Sequence, residues 1–153
     1  KGVPPDVLRE FVVNHGTMGF CDKEHRIVSS AIVGGCLPIA VGVAMGLKRQ
    51  GKSERVWCFL GDMAAENGAF WEAVKYAGRN SLPVTFVVED NGLSTNTPTQ
   101  ATWGGEYPNG LGPWFAGSIP WSWASFCNGT DVLYYRYVRT VPHVGVGEFV
   151  TFS

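Results

Sequence analysis

Two residues of this chain combine a metal-binding side chain with a place at the end of an apolar run. Asp62 follows Arg55-Val56-Trp57-Cys58-Phe59-Leu60-Gly61, and Asn91 follows Pro83-Val84-Thr85-Phe86-Val87-Val88-Glu89-Asp90. If the two runs are neighbouring strands, about 4.8 Å apart in a sheet, a carboxylate and an amide oxygen converge at one edge. Such a pair suits a hard divalent cation such as Mg²⁺, which prefers oxygen ligands and takes others from a phosphate. The helical segment beginning near Ala64 points free N–H groups at the same place, where they attract an anion. A metal-bridged diphosphate is the chemistry this arrangement supports. Taken one at a time, the same residues also read as a turn with a helix cap at Gly61-Asp62 and a turn at Asp90-Asn91-Gly92.

The elements that must position these residues have their own signals. Ala64 to Asn80 has helical spacing, with Phe70, Val74 and Ala77 on one stripe. Strand, helix and strand with short connections make a βαβ unit, so the strands are expected to be parallel and buried on both faces. Ligands on such sheets bind beyond the carboxyl ends of the strands, where Asp62 and Asn91 fall. Upstream, Pro4 to Val13 reads as a short helix ended by Asn14-His15-Gly16, followed by a loop to about Gly35. A buried helix then begins near Leu37, with Pro38 tolerated in its first turn, and ends in Lys48-Arg49-Gln50-Gly51. Gly42 and Gly46, four apart, would admit close approach of another backbone. Tyr134 to Arg139 and Glu148 to Phe152 are weaker strand signals, and no internal repeat is present.

Composition narrows the function classes. Twelve Lys and Arg against thirteen Asp and Glu give a net charge of −1, without the basic excess of a nucleic-acid binder. Apolar residues at 45% supply a core, while 16% charged residues and 13% aromatics suggest a surface partly covered by a partner, hence a homo- or hetero-oligomer. Ile27 to Leu47 carries no charge and is long enough for a membrane span. Its Pro38, Ser29-Ser30 and four glycines fit a glycine-rich loop and buried helix better. Cys21, Cys36, Cys58 and Cys127 form no short pair, and Lys1 to Glu10 has no signal-peptide character, so free thiols in a reducing, cytoplasmic setting are expected.

The intervals between motifs point to one family. Gly61-Asp62-Met63, then 26 residues, then Asp90-Asn91 resembles the thiamine diphosphate fingerprint, Gly-Asp-Gly followed at about that distance by Asn-Asn. Glu66-Asn67-Gly68, Phe70-Trp71-Glu72-Ala73, Ala77 and Leu82-Pro83-Val84 resemble the helix and strand between them. Ser29-Ser30-Ala31-Ile32-Val33-Gly34-Gly35, Leu37-Pro38-Ile39-Ala40-Val41-Gly42 and Asn91-Gly92-Leu93-Ser94-Thr95-Asn96-Thr97-Pro98 are similar to the alpha subunit of 2-oxo acid dehydrogenases, over about residues 16 to 100. The resemblance implies an α/β fold, a parallel sheet flanked by helices, here in shortened form, with residues 1–153 as a single diphosphate-binding domain. It implies that Asp62 and Asn91 bind Mg²⁺ through side-chain oxygens and Leu93 through its carbonyl. Gly61, Met63 and Ala64 would hold the diphosphate through backbone groups, and backbone around Val33 would meet the aminopyrimidine ring. The substrate would be a 2-oxo acid.

Several positions depart from the family pattern. Met63 replaces the second glycine of the fingerprint, and Asp90 the first asparagine. Thr17-Met18-Gly19 resembles the family's Ser-Met-His, with Gly19 in place of the active-site histidine. His15, His25 and His143 match no catalytic position, so no catalytic residue is assigned. The chain is shorter than half of a usual alpha subunit, which implies that a beta-type, pyrimidine-binding partner chain completes the site. Two alternatives stand beside this: a transketolase N-terminal-like domain, to which Trp71-Glu72-Ala73 and Ala40-Val41-Gly42 are also suited, and a non-catalytic homologue serving as a binding or scaffold protein.

Overall fold

A computed structural model describes residues 2–15, 18–99, 101 and 130–140. The chain enters through helix α1 (Pro5–His15) and a two-stranded antiparallel hairpin, β1 (Cys21–Asp22) and β2 (Ile27–Val28). The hairpin lies where the sequence reads as loop. Its strands are two residues each, too short for a period-2 pattern to register. Asp22 fixes its turn by accepting from the His25 backbone N–H at 3.0 Å and pairing with His25 Nδ1 at 2.8 Å. That His25 N–H bond is the main cause that holds the Asp22 carboxyl below its usual range.

Helix α2 (Cys36–Arg49) buries Leu37, Ala40, Val41 and Ala44 on one stripe. Pro38 sits in the first turn, where no intrahelical N–H is required. The helix ends as its composition predicts. Gly51 takes φ +64°, the Gly51 N–H donates to the Lys48 carbonyl and the Lys52 N–H to the Leu47 carbonyl, closing a Schellman motif. A Cβ added at Gly42 or Gly46 meets nothing within 4 Å, so the close backbone approach expected there does not occur among the described residues. No helix among those residues is long and apolar enough to cross a membrane.

Strand β3 (Val56–Gly61), helices α3 (Asp62–Ala65) and α4 (Gly68–Arg79), and strand β4 (Val84–Asp90) form the expected βαβ unit. The single helix expected over 64–80 is in fact two. Asn67 has extended backbone and its side chain accepts from the Ala69 N–H, capping α4 and separating it from the one-turn α3. α4 buries Phe70, Ala73, Val74, Ala77 and Gly78. It also ends in a Schellman motif, but Ser81, at φ +46°, occupies the position that glycine fills after α2. Because a left-handed residue with a Cβ is strained, Ser81→Gly is expected to stabilise the protein by about 0.5–1 kcal/mol, measured as an upward shift of the urea midpoint at constant slope.

β4 lies between β3 and strand β7 (Asp131–Arg136), parallel to both, with Phe59, Val87 and Leu133 in register. β7 thus begins before the expected Tyr134, and the second late strand signal, 148–152, lies outside the described residues, as do the tryptophans of 103–123. α2 and α4 pack together over one face of the sheet around Phe70 and Phe86, whose rings meet edge to face at 5.9 Å. β4 is buried almost throughout, as a central parallel strand should be. β3 differs from the expectation of burial on both faces: Cys58 and Leu60 point into the core, whereas Trp57 and Phe59 are exposed, with Leu133 and Tyr135 on the same open face. Cys21, Cys36 and Cys58 are free thiols, and burial raises that of Cys58 to about 11.

Candidate functional site

Because β3 and β4 are adjacent and parallel, with Gly61 opposite Glu89, the residues that follow each strand emerge side by side. Asp62 opens α3 directly after β3, Asp90 ends β4, and Asn91 begins the loop beyond it. That loop doubles back as a small hairpin, β5 (Leu93–Ser94) and β6 (Thr97–Pro98), and α3 packs against β5. The structure therefore gathers Asp62, Met63, Ala64, Asn91 and Leu93 at one end of the sheet. Val33 is exposed in the turn before α2. The next residue, Gly34, lies with its Cβ position 3.6 Å from Asn67 Nδ2, so this turn borders the segment linking α3 and α4.

The two aspartates are nearly sealed from water, at 6% and 2% exposed, and each is held by a hydroxyl. Thr99 Oγ1 donates to Asp62 Oδ2 at 2.5 Å, and Tyr134 Oη donates to Asp90 Oδ2. The Gly92 N–H donates to Asp90 Oδ1 at 2.7 Å, and the Arg136 guanidinium lies 3.8 Å from Oδ2. Burial raises the Asp62 carboxyl above its ordinary value. The Thr99 bond opposes this shift, and the nearby charge of Asp90 adds to it. Burial and the charge of Asp62 likewise raise Glu66. Burial, together with the bond to Asp90, pushes the Tyr134 hydroxyl well above its usual range. Acidic groups crowded in a desolvated place repel one another, and a cation relieves that repulsion.

Asn91 is only partly buried. Its Oδ1 accepts from the Leu93 N–H at 2.9 Å and its Nδ2 donates to Tyr137 Oη at 3.1 Å. An amide oxygen has two lone pairs, so one remains for a cation. Among the described residues no three His, Cys, Asp or Glu side chains are placed to hold a metal ion together. A metal here would complete its shell beside Asp62 with amide, backbone, phosphate or water oxygens. A Cβ added at Gly61 meets nothing within 4 Å, which leaves open space over the strand end. Since α3 is a single turn, attraction of an anion falls to its local N–H groups and not to a long helix dipole.

Sequence reasoning missed Thr99, Tyr134 and Tyr137. They follow the βαβ unit by a hairpin or a strand and carry no spacing rule of their own. Among the remaining positions singled out, His15 Nδ1 bonds the Phe11 carbonyl at 3.0 Å within its own helix, and His25 pairs with Asp22. Gly19 is described, but Thr17 and His143 lie outside the described residues.

A parallel α/β sheet with an acidic, oxygen-donor site beyond adjacent strand ends is the class of protein that the fold and site define. Residues 10–119 match the family described as Dehydrogenase E1 component, and the chain belongs to that family. It is 33% identical over 79 residues to the pyruvate dehydrogenase E1 component subunit alpha of Bacillus subtilis (strain 168), an alignment covering 52% of this chain and 21% of that protein. With the mitochondrial 2-oxoisovalerate dehydrogenase subunit alpha of Mus musculus it shares 28% identity over 109 residues, 71% of this chain and 24% of that one. A solved chain assigned as a thiamin diphosphate-dependent enzyme from Mycobacterium smegmatis superposes with a TM-score of 0.47 at 23% identity, over 73% of this chain and 24% of its own. This chain spans about a fifth to a third of the length of the curated relatives it matches. The family match over residues 10–119, with the alpha-subunit relatives, bears out the motif resemblance to the alpha subunits of 2-oxo acid dehydrogenases.

Proposed function

We propose that this chain supplies the diphosphate- and Mg²⁺-binding half of a thiamine diphosphate-dependent 2-oxo acid dehydrogenase site, completed by a beta-type partner chain. The observation that carries the proposal is the placement of Asp62 and Asn91 beyond neighbouring parallel strands. Asp62 would give the charged oxygen, Asn91 its amide oxygen and Leu93 its carbonyl, a donor set suited to Mg²⁺ that also receives phosphate oxygens. Gly61, Met63 and Ala64 would face the diphosphate with backbone groups, with the open space over Gly61 admitting it. Val33 would meet the aminopyrimidine. When bound, thiamine diphosphate supplies the electron sink for decarboxylation of a 2-oxo acid. The chain's own part is to bind, orient and neutralise the diphosphate end. A cytoplasmic setting accords with the free thiols.

Gly19 at the position of the family's active-site histidine, with Met63 in the fingerprint, supports a second reading: a homologue that binds the cofactor without turnover. Calorimetric titration with thiamine diphosphate, with and without Mg²⁺, tests the binding common to both. Mg²⁺-dependent saturable heat supports the proposal, and its absence overturns it. Met63→Gly is expected to tighten that binding by less than about tenfold, under ~1.4 kcal/mol, because glycine lets the backbone approach a phosphate. Weaker binding by the variant would mean that the half-buried Met63 side chain packs usefully where it is.

A further inference from the structure

We propose, resting on that functional reading, that Thr99 is a positioning residue for the Asp62 carboxylate and that Arg139 anchors it from outside the site. Thr99 is 2% exposed and its hydroxyl spends its only proton on Asp62 Oδ2. The carboxylate is thus held by a residue from the loop beyond β4. A carboxylate held this way keeps one orientation before a cation arrives. A free one would have to be ordered at binding, and that cost would weaken the complex.

The grip depends on where the 91–99 loop is pinned. The Thr99 N–H donates to the Gly92 carbonyl at 3.0 Å, closing the open end of the β5–β6 hairpin, whose turn holds Thr95 at φ +56°. Arg139, beyond β7, donates from Nη1 to the Thr95 carbonyl at 2.6 Å and from Nη2 to Asn96 Oδ1 at 3.1 Å. The Tyr137 N–H donates to the Asp90 carbonyl at 2.9 Å, and the Tyr137 hydroxyl accepts from Asn91. The segment after β7 therefore holds the hairpin at its tip and its root, and the hairpin delivers Thr99 to Asp62.

The experiment compares the chain with Thr99→Val, Thr99→Ser and Arg139→Gln. Mg²⁺-dependent thiamine diphosphate affinity is measured by calorimetry, and Mn²⁺ bound in the presence of the cofactor is followed by its electron paramagnetic resonance spectrum. Thr99→Val, which keeps the shape and removes the proton, is expected to lose about 10–100-fold in affinity, the range for groups that orient a metal ligand, and to change the Mn²⁺ line shape. Thr99→Ser should stay within about threefold of the parent, an effect under ~0.7 kcal/mol. Equal affinity of Thr99→Val and the parent overturns the proposal, as does a serine variant as weak as valine, since packing and not the hydroxyl would then be responsible. Should Thr99→Val lack a cooperative melting transition, Arg139→Gln decides: a several-fold loss supports the proposal and unchanged affinity overturns it. A parent chain without Mg²⁺-dependent binding overturns the functional reading and this inference with it.

Discussion

Asp62→Asn is expected to weaken Mg²⁺-dependent thiamine diphosphate binding by more than about a hundredfold, the upper range for residues that merely orient a ligand, without lowering the melting temperature in metal-free buffer at pH 7. The two halves of this expectation have one cause. Asp62 is 6% exposed, and burial, reinforced by Asp90, raises its folded-state pKa above the unfolded value of 3.8. For an acid shifted upward, folding disfavours the ionised form. The penalty is absent below pH 3.8, grows as pH rises toward the folded value, and is fully present above it. Asparagine does not titrate and keeps an oxygen to accept from Thr99, so the variant escapes the penalty at neutral pH. It also loses the one charged ligand proposed here. Melting curves of the two proteins without metal should therefore converge as pH falls into the carboxylate range, while saturating Mg²⁺ and cofactor raise only the parent's melting temperature. Unchanged cofactor affinity in Asp62→Asn would remove Asp62 from the metal site. A large loss of metal-free stability would show that the carboxylate is structural. This is the exchange of stability for function common at binding sites.

How far the sequence led follows from which forces act locally. The β3–α4–β4 unit was legible because its strands are short apolar runs stopped by Gly61-Asp62 and Asp90-Asn91-Gly92, and because Phe70, Val74 and Ala77 repeat at helical spacing. A short crossover favours adjacency of the two strands without requiring it; the β3–β4 pairing supplies that condition and sets Asp62 beside Asn91. The break at Glu66-Asn67 was hidden because Ala64 and Ala65 are themselves good helix formers leading toward the stripe, while a single Asn67 side chain decides that a new helix begins there. β1 and β2 were hidden for the opposite reason, being too short to carry any pattern. At the site, the metal-type residues announced themselves by chemistry and interval, whereas Thr99 and Tyr134 did not. Their importance comes from tertiary placement: one reaches Asp62 because a hairpin folds back, the other reaches Asp90 because β7 pairs with β4. The open sheet face at Trp57 and Phe59 was likewise illegible, since a continuous apolar run reads as burial on both sides.

Hydrogen–deuterium exchange at the thiazolium carbon of thiamine diphosphate, followed by NMR with Mg²⁺ present, should be accelerated little by this chain alone. Loss of that proton depends on a carboxylic acid that hydrogen-bonds the aminopyrimidine ring and shifts it to its imino form, a role the resemblance gives to a glutamate of the partner chain. The glutamates described here lack the position for it. Glu10, Glu24, Glu54 and Glu72 are exposed, with Glu54 paired to Arg26 at 3.4 Å. Glu89 accepts from Tyr135 Oη, opposite Gly61 in the sheet register, with Tyr135 on the open face. Among the described glutamates, Glu66 has its carboxyl raised, by burial first and then by the charge of Asp62; on the proposed reading it would lie beside the metal and the diphosphate. An acid placed there would lie away from the aminopyrimidine ring. General acid–base help of this kind typically contributes about 10²–10⁴ in rate, so the difference between the chain alone and a completed site should be unmistakable. If the chain alone does accelerate exchange strongly, Glu66→Gln identifies the source. Loss of the acceleration in that variant would make Glu66 an internal activating acid and remove the need for a partner's glutamate. Acceleration that persists would place the acid among residues 102–129 or 141–153.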